Sequence, residues 1–79
     1  MNKKYTISLE KLEAVQKFVA EVSKLVVDVD LISGRYTVNA KSIMGIFSLD
    51  LSKPIEMVVH TDEADVLAEV ERALKQFII

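Results

Sequence analysis

The sequence predicts an α/β (α+β) open-faced sandwich of element order β-α-β-β-α-β-α, a four-stranded antiparallel sheet with three helices on one face. Three observations lead there. Four short segments alternate apolar and polar residues, so each strand has a single apolar face, as suits an antiparallel sheet covered on one side. Between them lie stretches with apolar residues at helical spacing, which supply the cover. A chain of 79 residues makes one domain, residues 1–79. Area scaling allows such a chain to bury about 60–65% of its unfolded surface, which is one modest core.

Lys3 to Ser8 alternates, with Tyr5 and Ile7 on one side and Lys4 and Thr6 on the other, which predicts the first strand. Leu9, Leu12, Val15, Phe18, Val19, Val22 and Leu25 then recur at helical spacing opposite a charged face, and Ser8 is placed to cap this amphipathic helix. Val26 to Ile32 returns to alternation, with Val27, Val29 and Leu31 set against Asp28 and Asp30. Ser33-Gly34 signals a turn and Arg35 to Asn39 alternates again, so the pair reads as a β-hairpin. Ile43 to Leu49 fits a short helix with Ser42 or Asn39 as its cap, and Lys53-Pro54 stops it. Ile55 to His60 forms the last strand, with Ile55, Met57 and Val59 on one face. Thr61 is expected to cap the final helix, with Asp62, Glu63 and Asp65 at its positive end. Its buried stripe is Val66, Leu67, Val70, Leu74, Phe77 and Ile78. The solvent face of the sheet should carry Asp28, Asp30, Arg35, Thr37 and Glu56.

Composition excludes many functions. With no Cys there is no disulfide scaffold, thiolate metal site or cysteine nucleophile, and one His is too few for a multi-histidine metal site. The formal net charge of −2 argues against binding that works through phosphate neutralisation, so no nucleic-acid partner is expected. An RNA-recognition module of this layout would also show stacking aromatics on its open face, and the aromatics here sit elsewhere. No continuous apolar segment follows Lys3-Lys4, and no stretch reaches the roughly 18 to 20 apolar residues that cross a bilayer. The expectation is a cytoplasmic protein without signal peptide or membrane partner.

Constellations with chemical potential are few. Asp28 and Asp30 share a strand face without a third ligand, and His60-Thr61-Asp62 is better explained by capping than by metal binding. No base is placed beside any serine, and the two glycines, Gly34 and Gly45, form no phosphate-cradling loop. Neither an enzyme nor a cofactor or metal site is expected.

The informative segment runs from Asn39 to Leu49, NAKSIMGIFSL. Ser42 stands where it can cap the short helix, and a phosphate added there would meet the helix N-terminus and bring about −1.5 to −2 of charge. Ile43, Met44 and Phe47 lie at i, i+1 and i+4, so on so short a helix some of them should be exposed as an apolar docking patch. Ala40 to Gly45, AKSIMG, closely resembles the regulatory-serine segment of HPr, the small phosphocarrier of the bacterial sugar phosphotransferase system, in its Gram-positive form. The resemblance in length class and element order extends over the whole chain.

This resemblance implies that Ser42 is a regulatory phosphorylation site and that Ile43, Met44 and Phe47 bind protein partners. Those implied are HPr kinase/phosphorylase or a regulator of the phosphotransferase system. HPr also carries a phosphoryl group on a histidine at the start of its first helix, in a Gly-Leu-His-Ala-Arg-Pro-Ala type motif. Aligned on Phe18-Val19, that motif falls on Leu9 to Val15, with Lys11 at the histidine position and Glu13 at the arginine position. A lysine ammonium is protonated at neutral pH and a poor nucleophile, and a glutamate repels the phosphoryl oxygens that an arginine would clamp. The expected function is therefore that of a regulatory relative modified at Ser42. Its alternatives are a phosphocarrier in sugar uptake with another acceptor, and an interaction module without phosphorylation.

Overall fold

The computed structural model describes residues 2–79. The elements are β1 (Lys3–Ile7), α1 (Leu12–Val22), β2 (Val29–Ser33), β3 (Tyr36–Asn39), α2 (Ile43–Phe47), β4 (Ile55–Val59) and α3 (Ala64–Leu74). The four strands form one antiparallel sheet in the order β1-β4-β2-β3. This is the open-faced arrangement expected from the alternating pattern.

Register sets the two faces apart. Tyr5, Met57, Leu31 and Val38 form one row across all four strands, flanked by Ile7–Ile55 and Val59–Val29. These side chains join Val15, Phe18 and Val22 of α1, Ile46 of α2, and Val70 and Leu74 of α3 in the core. Phe18, fully buried, meets Phe77 edge to face at 5.4 Å between ring centroids. The opposite face carries the rows Lys4–Val58–Asp30–Asn39 and Thr6–Glu56–Ile32–Thr37. Asp30, Thr37 and Glu56 lie there as expected, whereas Asp28 precedes β2 and Arg35 sits in the β2–β3 turn. That turn is a two-residue loop, Gly34-Arg35, with positive φ (59°) at Gly34 alone, as a type II′ hairpin requires.

Several boundaries differ from the sequence expectation, each for a local reason. Ser8 does not cap α1. Its N–H donates to the Phe77 carbonyl (2.9 Å) and Leu9 is fully buried, so the chain stays committed to the core until Lys11, which holds the N-cap position without a side-chain cap. Leu12, assigned to the buried stripe, is 58% exposed at the start of α1. Leu25 lies beyond α1, in a turn whose N–H bonds back to Val22. Thr61 does not cap α3 either: its Oγ1 accepts from the Glu63 N–H (3.1 Å), and Glu63 takes the N-cap position. After Leu74 the chain leaves the helix, and Ile78 forms an antiparallel bridge with Ile7, held by Ile79 N–H to the Thr6 carbonyl (2.9 Å). Phe77 and Ile78 therefore seal the β1 side of the core instead of extending a helical stripe.

Two consequences can be measured. Phe18→Ala empties a fully buried site and should lower stability by roughly 3–5 kcal/mol in denaturant unfolding. The Tyr5 hydroxyl donates to Glu71 Oε2 at 2.6 Å. Burial first, then this hydrogen bond and the Glu71 charge, push the phenol from its usual 10.0 up to about 12. The raised value means that the protonated phenol's stabilisation is complete below pH 10.0 and is lost as pH climbs toward about 12. Tyr5→Phe should thus show a smaller fall in urea midpoint between pH 9.5 and 11.5 than the unaltered chain.

Candidate functional site

The segment before α2 is fixed at several points, and these set the position of Ser42. Ala40, fully buried, donates its N–H to the Val29 carbonyl (2.9 Å). Asn39 Oδ1 accepts from the Lys41 N–H (2.8 Å), which turns the chain, and Ser42 N–H reaches the Asn39 carbonyl at 3.0 Å. The Lys41 ammonium donates to the Leu25 carbonyl at 2.8 Å, tying this turn to the loop after α1. Of the two caps that the sequence leaves open, Ser42 is the one used. Its Oγ accepts from the Gly45 N–H at 3.2 Å, while Asn39 serves the preceding turn.

Helix α2 is short and seated by one residue. Ile46 is fully buried, Ile43 is half-buried against the core, and Met44 (77% exposed) and Phe47 (41% exposed) face outward. Gly45 permits the close approach to β3: a Cβ there would stand 3.1 Å from Ser42 Oγ and 3.2 Å from Val38 Cβ. Ser42, Met44 and Phe47 thus occupy the exposed side of a helix anchored through Ile46 and packed on β3. Past α2, the Ser48 hydroxyl donates to the Gly45 carbonyl (2.5 Å). Ser52 donates its N–H and hydroxyl to Asp50, which holds that carboxyl below its ordinary range.

The start of α1 offers different chemistry. Lys11 and Glu13 are both exposed, Lys11 in extended conformation and Glu13 in the first helical turn. The chain's single histidine is not beside them. His60 Nε2 lies 2.7 Å from Asp30 Oδ2, and Asp30 belongs to the sheet face opposite the helices. His60 and Asp30 therefore form a polar pair on the open face, separated by the sheet from α1. This pairing is missed by sequence pattern alone, since it depends on β2 and β4 being neighbours. Asp28 and Asp30 do not converge on a third ligand: among the described residues no group of three or more His, Cys, Asp or Glu could hold a metal ion. Nor is any described helix long and apolar enough to cross a membrane.

Comparison with known proteins is consistent with this geometry. The family model for the HPr component phosphorylation site of the phosphotransferase system matches residues 4–78. Among curated proteins, none matches the chain. The crystal structure of a phosphocarrier protein HPr from Bacillus anthracis is similar at 26% identity and a TM-score of 0.70, covering 98% of this chain and 95% of that one. HPr-C-His from Thermoanaerobacter tengcongensis is 26% identical with a TM-score of 0.72, covering 94% and 92%. The histidine-containing phosphocarrier protein of a Mycoplasma, at 20% identity and a TM-score of 0.67 over 96% and 89% of the two chains, shares the fold. The match spans nearly every residue of a chain folded as these phosphocarriers are, and the protein belongs to the HPr family of the sugar phosphotransferase system.

Proposed function

We propose that this chain is a regulatory HPr relative, recognised through α2 and phosphorylated on Ser42, that does not carry a phosphoryl group on histidine. The observation that carries this reading is the exposed Ser42 hydroxyl at the head of α2, with Met44 and Phe47 exposed beside it. A kinase active site needs a serine whose Oγ can be reached, and a docking surface needs apolar groups free to be covered. α2 supplies both within six residues.

The reaction asks little of the fold. Ser42 Oγ forms a bond to the γ-phosphorus of ATP as the bond to the β–γ bridging oxygen breaks, the hydroxyl proton passes to a base on the kinase, and ADP leaves. The Gly45 N–H that now bonds Oγ can then donate to a phosphate oxygen, so helix α2 keeps a capping acceptor while gaining about −1.5 to −2 of charge beside Met44 and Phe47. Lys11 and Glu13 support the other half of the reading. An exposed ammonium and carboxylate at the start of α1 supply neither the imidazole nucleophile nor the arginine clamp of the family's histidine motif.

Two incubations separate the possibilities. With HPr kinase/phosphorylase and labelled ATP, the chain should take up label that disappears in Ser42→Ala. With enzyme I and labelled phosphoenolpyruvate it should take up none. An acid-labile label from phosphoenolpyruvate would overturn the reading in favour of an active carrier, and absence of label from either donor would leave an interaction module. Ser42→Ala also loses the cap, so its thermal unfolding should report a loss of about 1 kcal/mol. Ser42→Asp, which keeps an acceptor, should recover most of that loss while remaining unlabelled.

The docking surface has its own readout. Met44→Ala combined with Phe47→Ala should reduce kcat/KM for Ser42 phosphorylation by tenfold or more, as truncating exposed anchors does at interfaces. Ile46→Ala, at the fully buried seat of α2, should instead lower stability by roughly 2–5 kcal/mol.

A further inference from the structure

We propose that the groove between the start of β1 and the C-terminal half of α3 binds an acidic, extended peptide segment of a partner protein. Ala68, Glu71, Arg72 and Lys75 lie at i, i+3, i+4 and i+7 and line one wall. Lys3 to Thr6 line the other, and Ile78 and Ile79 lie at the same groove, an open volume of about 940 Å³. The sheet order puts β1 and β3 at opposite edges, so a partner on α2, which packs on β3, leaves this groove free.

Charge is concentrated here against the sign of the whole. The chain has a net charge of −2, yet Lys3, Lys4, Arg72 and Lys75, four of its ten Lys and Arg residues, border this one groove. Among the described residues, the one carboxylate side chain in the lining, Glu71, accepts from the Tyr5 hydroxyl at 2.6 Å. Lys3 stands over the Tyr5 ring, 5.9 Å from its centroid, and Lys4 has only an exposed ion pair to Glu56 at 3.4 Å. Arg72 and Lys75 make no ion pair among the described residues. Unpaired cations around an open groove attract carboxylates from a partner.

The backbone narrows the kind of partner. Along the outer edge of β1 the C-terminal segment bonds to Ser8 and Thr6, and among the described residues this pairing does not reach Lys4. By strand alternation the main-chain groups of Lys4 point to the same side as those of Thr6, towards the groove. An extended segment can add to that edge and place alternate side chains on the cationic walls. Ile79, 72% exposed among these cations, suits an apolar residue between two acidic ones.

Titration of the isotopically labelled protein with a capped Glu-Val-Glu-Val-Glu peptide, followed by amide shifts at low salt, tests this. The acidic peptide should saturably shift the amides of Lys4, Thr6, Arg72, Lys75 and Ile79. A Lys-Val-Lys-Val-Lys peptide should not. Arg72→Glu with Lys75→Glu should weaken binding at least tenfold while the remaining spectrum stays dispersed. If inorganic phosphate shifts the same amides at equal affinity, the site is one for small anions and the proposal fails. It fails equally if the shifts map elsewhere, if none appear at millimolar peptide, or if the charge-reversed variant binds unchanged.

Discussion

The row Tyr5–Met57–Leu31–Val38 is the constraint on which the rest of the molecule depends. Each strand contributes one member, and because the side-chain period of a strand is two, fixing one row fixes every other residue's face. Slipping β4 by a single residue would bring Val58 and Glu56 inward and turn Met57 out. A sheet with one apolar face leaves the helices one place to go, and α1, α2 and α3 all contribute to the core on that side. The end of the row at the β3 edge is Val38, which lies against Gly45. The position of α2, and with it the exposure of Ser42, Met44 and Phe47, thus follows from sheet register extended to its last strand.

What the sequence made legible and what it concealed divide along the same line. Alternation in β1, β2, β3 and β4 is a local signal, as is the helical stripe of Val15, Phe18 and Val22, and those elements appear on the segments it marks, although β2 begins at Val29 and not at the exposed Val26. The errors fall where a distant contact outcompetes a local preference. Ser8 is a good capping residue by type, but its N–H is engaged by Phe77, nearly seventy positions on. Ile78 continues a helical spacing on paper, and strand β1 takes it as a bridge partner instead. At the candidate site, Asn39 and Ser42 are equally plausible caps by type, and only the turn closed by Asn39 Oδ1 on the Lys41 N–H assigns their roles. The apolar residues of α2 were legible as a group. Which of them faced outward was not, because that depends on Ile46 alone being drawn fully into the core.

Polar groups that look alike in sequence acquire different roles from the two faces of the sheet. His60 follows Val59, an inner residue, and so turns toward the outer face, where Asp30 of the neighbouring strand receives it. The pair is partly exposed and sits on the strands that form the centre of the sheet, which is a sound structural use for an imidazole and a carboxylate. The same placement keeps the chain's single imidazole away from the helix side, where the resemblance leads one to expect the family's histidine motif to fall on Lys11 and Glu13. Family membership would be compatible with the absence of such a motif, because the fold rests on the apolar face, whereas Lys11 and Glu13 lie on an exposed helix start.

On the proposed reading, the one hydroxyl of Ser42 would serve both the fold and its regulation without conflict. As a cap it only has to accept a hydrogen bond, which it does from the Gly45 N–H, leaving its own proton free to be lost. Replacing that proton with a phosphoryl group adds acceptor oxygens at the same place, so the cap's requirement is still met after modification. A serine used as a donor to a buried carbonyl would not tolerate this, since the modification would remove the very proton the fold relied on. Nearby, the Lys41 ammonium donates one of its three N–H groups to the Leu25 carbonyl at 2.8 Å and keeps its positive charge. Negative charge added at Ser42 would lie on the exposed side of α2 beside Met44 and Phe47, where an approaching partner would meet charge and apolar surface together.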